Sequence, residues 1–171
     1  MTPKLRIALL AFTVSLSLDV VTKYFVARHL VFSDKIAIVE GFFYLTHVRN
    51  PGAAFGLFAS APVAWRLGFF IGISLLALGI VVSFYRKLAP GDRLSSLALG
   101  FIAGGALGNL LDRIFRHEVV DFLHFKLWQG YSWPDFNFAD SFIVAGVGLL
   151  VLELLATEGA SRAGAEDEPL A

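Results

Sequence analysis

A chain of 171 residues that is 57% hydrophobic and 16% charged, with a mean hydropathy of +0.71, is too apolar for a soluble domain and indicates a membrane protein. The 14 basic and 14 acidic residues cancel, which argues against nucleic acid as a partner because phosphate-backbone binding needs a basic surplus. The absence of cysteine excludes disulfides, a thiolate nucleophile and a cysteine metal site.

The first predicted element is a membrane-spanning helix over residues 5–25, which is long enough to cross a hydrocarbon core of roughly 30 Å. A cleaved signal peptide would have a shorter apolar region and a small-residue cleavage site, and Asp19 and Lys23 do not fit one. These two residues lie four apart and can pair on one helical face. A purely stabilising ion pair and a contribution to a site both remain open for them.

Short strands are predicted between residues 28 and 61, where IAIVEGFFYLTHV favours β-branched and aromatic residues. These strands predict a small exposed sheet. The sheet leads into a turn marked by Asn50, Pro51, Gly52 and Gly56, which leaves the Asn50 amide free to hydrogen-bond the backbone of a ligand. A plain loop is the alternative reading of this turn.

The second and third predicted spans cover residues 63–85 and 94–112 and are joined by a short basic loop with Arg86, Lys87 and Arg93. The excess of positive charge on cytoplasmic loops assigns this loop, together with Lys4 and Arg6, to the cytoplasm. A fourth span over residues 138–156 returns the chain to that side, so both termini are predicted to be cytoplasmic. The end of the chain, residues 157–171, is small, polar and acidic and predicts a disordered tail.

The third span carries Gly100, Gly104 and Gly108 at four-residue steps, so one bare helical face allows a neighbouring helix to approach closely. Asp112 is the next step along that stripe. Asn109 and Arg113 lie on an adjacent face, and Arg113 is expected to pair with Asp112 as a bidentate partner or to lie beside it. A structural ion pair that stiffens the helix end is the alternative.

The segment between residues 115 and 136 begins with β-branched residues and becomes aromatic-rich, which predicts a segment lying in the outer membrane interface. Pro134 and the sequence NFADS then start the fourth span. Asn137 is its predicted N-cap and Asp140 its third helical residue. The alternative is that Asp140 only offsets the helix dipole, as an acid in the first turn of a helix does, and has no chemical role.

Asp121 precedes the re-entrant, aromatic-rich part of this segment and Asp140 follows it, so both carboxylates are expected to return to one point at the bilayer edge. Ionisable groups there are costly and indicate a functional site. Two neighbouring carboxylates resist double ionisation and share a proton, so one can take a proton from water while the other polarises a carbonyl. The pattern therefore predicts an aspartic hydrolase with neither metal nor cofactor.

Other chemistries fit the residues less well. HEVVD, from His117 to Asp121, lacks the second histidine of the zinc motif HExxH, and no GxSxG nucleophile turn occurs. A small transporter or proton-relay protein would need polar groups through the full depth of the membrane, whereas here they gather at one face. It is the alternative from another functional class.

Five ordered blocks resemble the bacterial lipoprotein signal peptidase (signal peptidase II) family over nearly the whole chain. They are DVVTK from Asp19, NPGAAF from Asn50, GGALGNLLDR from Gly104, VVDF around Asp121 and FNFADS around Asp140. The resemblance implies a polytopic inner-membrane aspartic endopeptidase, which agrees with the four membrane helices and the small extracytoplasmic sheet predicted above, and we expect it to be a monomer. Its substrates would be diacylglyceryl-modified prolipoproteins, which it would cut just before the lipid-modified cysteine. The enzyme itself would be surrounded by membrane lipid.

The resemblance also implies roles for particular residues. Asp121 and Asp140 match the catalytic pair. Five further positions match those that line the substrate: Asn50, Gly52, Asn109, Arg113 and Asn137. Asp19, Lys23 and Asp112 match motif positions that support the site.

Overall fold

The computed structural model describes residues 1–52, 58 and 60–166. In chain order its elements are α1 (Pro3–His29), β1 (Lys35–Val39), β2 (Phe43–Asn50), α2 (Val63–Lys87), α3 (Arg93–Arg116), β3 (Val119–Phe125) and α4 (Phe138–Glu166). All four helices are long and apolar enough to cross a membrane, α4 over Phe138–Glu158. The prediction of four spans with a small sheet is therefore confirmed, and each helix extends beyond its predicted span at one or both ends.

Helix α4 ends later than the sequence predicts. A disordered tail is predicted over residues 157–171, whereas α4 continues to Glu166. The segment after the apolar span contains several alanines and glutamates, which extend an existing helix without a new nucleation step. Residues 167–171 of the predicted tail lie outside the described residues.

Helix α3 lies between α1 and α4, and glycines allow both neighbours to approach closely. A Cβ atom on Gly100 would lie 2.5 Å from the carbonyl oxygen of Ala8, and one on Gly108 would meet the carboxylate of Asp19. On another face of α3, a Cβ on Gly105 would meet the carbonyl oxygen of Ala139 in α4. The predicted close approach along the glycine stripe is confirmed, and the partner on that side is α1.

The three strands form one antiparallel sheet in the order β1-β2-β3. Val120 and Phe122 of β3 pack with Val26 near the end of α1, which docks the sheet on the helices. Because side chains alternate along a strand, Asp121 lies on the opposite face from these two. The sheet thus anchors one side chain of the predicted pair.

The segment predicted to be interfacial differs from the prediction in its first half, because residues 119–125 form strand β3. Their β-branched and aromatic side chains suit a sheet, and β2 offers a free edge to pair with. Residues after β3 turn back alongside it, with Phe136 N donating to Leu123 O at 3.1 Å and Trp133 N to Phe125 O at 2.8 Å. Trp128 is 73% exposed, and the interfacial position of this aromatic part stays a prediction.

Candidate active site

Asp121 is held by two side-chain amides from different parts of the chain. Its Oδ1 accepts a hydrogen bond from Asn137 Nδ2 at 2.7 Å, and its Oδ2 accepts one from Asn50 Nδ2 at 2.9 Å. The residue is 2% exposed. Both carboxylate oxygens are therefore fixed in a site that is largely closed to water.

Asp140 lies in the first turn of α4 and forms a reciprocal cap with Asn137. Asp140 N donates to Asn137 Oδ1 at 3.0 Å, and Asn137 N donates to Asp140 Oδ2 at 3.4 Å. This is the capping-box pattern that the sequence NFADS predicts. The other oxygen, Asp140 Oδ1, accepts a hydrogen bond from Asn109 Nδ2 at 2.7 Å, so α3 also orients this carboxylate.

Asn137 joins the two acids, because its Nδ2 contacts Asp121 while its Oδ1 and backbone N contact Asp140. It is fully buried. Burial, reinforced by the charge of Asp140, raises the pKa of Asp121 to about 7, against the opposing hydrogen bonds from Asn50 and Asn137. Near neutral pH this environment favours a pair of carboxyl groups that holds one proton.

Both acids line a cavity of about 290 Å³ at the end of the bundle where the sheet docks. Its described lining also includes every residue that the sequence assigned to substrate binding except Asn137, namely Asn50, Gly52, Asn109 and Arg113. Asn137 stands behind the two acids instead. Residues 53–55 of the NPGAAF block and Gly56 of the predicted turn lie outside the described residues.

Arg113 does not pair with Asp112 as the sequence predicts. Its guanidinium lies 4.9 Å from the ring centre of Phe70 and donates to the carbonyl oxygens of Asn109 at 3.2 Å and Gly52 at 3.5 Å. Asp112 pairs with Arg116, one turn further along α3, and with Lys23. Consecutive residues on a helix point about 100° apart, which leaves Arg113 facing the cavity while Asp112 faces α1.

Behind the cavity, Lys23 is the centre of a buried polar network. Its ammonium lies 2.8 Å from Asp19 Oδ2 and 3.1 Å from Asp112 Oδ2, and donates to Asn109 Oδ1 at 2.8 Å. The predicted pairing of Asp19 with Lys23 is confirmed. All three charged groups are at most 3% exposed. The contacts of Lys23 with Asp112 and Asn109 were not predicted from the sequence.

The two carboxylates of this network also hold backbone near the acids. Asp19 Oδ1 accepts a hydrogen bond from Ala139 N at 2.9 Å, next to Asp140. Asp112 Oδ2 accepts one from Val120 N at 3.1 Å, next to Asp121. The network therefore fixes α1, α3, α4 and β3 relative to one another at the site.

The HEVVD sequence lies at the junction of α3 and β3, with His117 in a left-handed conformation (φ 64°) at the helix end. The helical spacing that brings the ligands of HExxH together is therefore not formed. Among the described residues, no three His, Cys, Asp or Glu side chains are grouped so that they could hold a metal ion.

Comparison with known proteins places these features in a family context. The family model described as signal peptidase (SPase) II matches residues 11–156. A lipoprotein signal peptidase of Geobacter sulfurreducens is 43% identical over 84% of this chain and 88% of its own length, and one of Geobacter metallireducens is 40% identical over 92% and 96%. A solved bacterial membrane enzyme superposes with a TM-score of 0.80 at 30% identity, covering 96% of this chain and 94% of its own.

Proposed function

The chain belongs to the signal peptidase II family, and from that premise we propose that it is an aspartic endopeptidase that removes the signal peptide of diacylglyceryl-modified prolipoproteins. The cut would fall just before the lipid-modified cysteine. The observation that carries the proposal is that Asn137 forms hydrogen bonds with both Asp121 and Asp140, and that these two acids line one cavity. Two acids held so closely can share one proton and activate water without a metal.

In the proposed resting site the pair holds one proton, and the raised pKa of Asp121 favours Asp121 as the carboxyl group that carries it. Asp140 takes a proton from water as the water oxygen attacks the scissile carbonyl, and Asp121 gives its proton to the carbonyl oxygen. When the tetrahedral intermediate collapses, the C–N bond breaks and Asp140 passes its proton to the leaving amine. Asp121 regains a proton from the intermediate, and the starting state is restored.

The remaining predicted residues have separate roles in this proposal. Asn50 and Asn109 orient the acids, Gly52 N donates to Asn50 Oδ1 at 3.0 Å and fixes that amide, and Arg113 contacts the substrate backbone. Asn137 keeps the two carboxyl groups together. Asp19, Lys23 and Asp112 support the site from behind, through the buried network. The whole chain then acts as a single membrane-embedded peptidase domain, as a monomer and without a cofactor.

The proposed location is the bacterial inner membrane, with the active site at the outer face and both termini in the cytoplasm. The five basic residues used for the orientation lie at the start of α1, the end of α2 and the start of α3, which share one end of the bundle. Lys4 Nζ donates to Leu88 O at 2.6 Å across this end. Asp121 and Asp140 lie at the opposite end, where positive-inside orientation favours the outer leaflet.

The direct test is to incubate the purified protein with a lipidated and a non-lipidated form of one prolipoprotein and to determine the mass of the products. We expect a new amino terminus at the lipid-modified cysteine, formed from the lipidated substrate alone. Equal cleavage of both forms would contradict the proposed substrate class. No cleavage of either form would contradict the peptidase activity.

The pH dependence tests the shared proton. We expect kcat/KM to fall above about pH 7, because the raised pKa of Asp121 marks the pH at which the pair loses its proton. The Asn50 hydrogen bond favours the charged carboxylate and lowers this pKa, so the variant Asn50→Leu is expected to shift the alkaline limb to higher pH. A limb that stays in place or moves to lower pH in this variant would contradict the role of Asn50.

A further inference from the structure

A third carboxylate, that of Asp135, also lines the cavity of Asp121 and Asp140. Its Oδ1 accepts a hydrogen bond from Thr46 Oγ1 at 2.6 Å and lies 3.2 Å from His124 Nδ1. The side chain is 22% exposed, in contrast to the buried Asp121. Asp135 is therefore held in place at the cavity wall, but it has no part in the proposed reaction.

The cavity carries an excess of negative charge. Its described lining contains three carboxylates, those of Asp121, Asp135 and Asp140, and one guanidinium, that of Arg113. One proton shared by Asp121 and Asp140 leaves a net charge of about −1. The Oδ2 atom of Asp135 has no hydrogen-bond partner among the residues that the structure describes, so it is available to a bound chain.

The position of Asp135 indicates which part of a substrate it meets. Among the described residues its side chain contacts Thr46 in β2 and His124 in β3, both in the sheet, whereas Asp140 and Asn109 belong to membrane helices. An apolar signal peptide lies along the helices, because its own helix must stay in hydrocarbon. We therefore expect the polar chain that follows the cut to leave on the sheet side, past Asp135.

We propose that Asp135 is a specificity-determining residue that selects against an acidic side chain directly after the lipid-modified cysteine. This inference rests on the proposed function. A second carboxylate placed beside Asp135 in a partly desolvated cavity is repelled, whereas a neutral or basic side chain is not. The negative charge thereby sorts substrates by the first residue of the mature chain beyond the cysteine.

The test compares three lipidated substrates that differ only in that residue, which is Ser, Lys or Asp. For the wild-type protein we expect kcat/KM on the Asp substrate to be about tenfold below that on the Ser substrate, with the Lys substrate at least equal to Ser. Asp135→Asn keeps the side-chain shape and an acceptor oxygen for Thr46 but removes the charge. In this variant we expect the Ser-to-Asp ratio to fall to within about twofold.

Two control variants separate charge from structure. Glu40→Gln removes an exposed carboxylate from the turn between β1 and β2, outside the cavity lining, and should keep the wild-type ratio. Thr46→Val removes the hydrogen bond to Asp135 but leaves its charge, and should also keep discrimination against Asp. A wild-type ratio near one, or an unaltered ratio in Asp135→Asn, would overturn the inference. Failure of the wild-type protein to cleave the Ser substrate would instead overturn the proposed function.

Discussion

Asp121→Asn and Asp140→Asn are each expected to lower the rate of prolipoprotein cleavage by about 10³-fold or more, since loss of a general acid or base alone removes about 10²–10⁴-fold. The amide of asparagine neither takes a proton from water nor gives one to a carbonyl oxygen. Because the two acids act as one unit, the double variant should be little slower than either single variant. Initial rates with a lipidated substrate measure all three.

These variants also test whether the loss is chemical or structural. In Asp121→Asn the new side chain has one acceptor oxygen for the two amide donors of Asn50 and Asn137, so some loss of stability is expected alongside the loss of activity. The thermal unfolding midpoint of each variant should be measured in the same micelles. Asp34→Asn is a matched control, because Asp34 accepts a hydrogen bond from Val31 N outside the cavity and asparagine can keep it.

Cleavage by either variant at near the wild-type rate would contradict the two-acid mechanism. A loss of activity in the Asp34→Asn control of the same size would point to general sensitivity of the fold. Retained binding of a lipidated peptide by Asp140→Asn, with cleavage absent, would localise the defect to the chemical step.

Hydropathy and local sequence predict the helices and much of the site, because both signals are local. Four apolar runs give the spans, and NFADS gives the Asn137–Asp140 cap, whose partners are three residues apart. The glycine stripe of α3 correctly predicts close packing. The stripe does not predict which helix packs against it, because that depends on contacts between distant parts of the chain.

Two of the features that the sequence did not predict depend on such distant contacts, whereas the error for Arg113 is local. Strand β3 forms because β2 offers an edge, and its aromatic residues also fit the interfacial reading. The contact between Lys23 and Asp112 could have been predicted from residue spacing. Asp19 and Lys23 in α1, and Gly108 and Asp112 in α3, follow the same four-residue step. Arg113 was assigned to its sequence neighbour, although adjacent helical residues face different directions.

Lys23→Met is expected to destabilise the fold by about 3–5 kcal/mol, because it leaves Asp19 and Asp112 buried without their shared cation. A methionine has nearly the same length but no charge, so the effect reports the ion pairs and not a cavity. The free energy of unfolding can be measured by SDS titration in lipid–detergent micelles. Arg116→Gln is the matched control, since Arg116 pairs with the same Asp112 but is 39% exposed and should contribute less than about 1 kcal/mol.

Lys23→Met should also lower kcat more than it raises KM, although Lys23 does not line the described cavity. Lys23 holds Asn109 Oδ1, which leaves Asn109 Nδ2 to donate to Asp140. Without the lysine the amide can turn and present its oxygen to the carboxylate, which misplaces the base. Replacing Asp19 and Asp112 by Asn in the same variant should restore stability, because no buried charge is left unpaired, but not kcat. If stability and kcat both recover, the network acts on stability alone. If stability recovers and kcat does not, Lys23 positions Asp140 through Asn109.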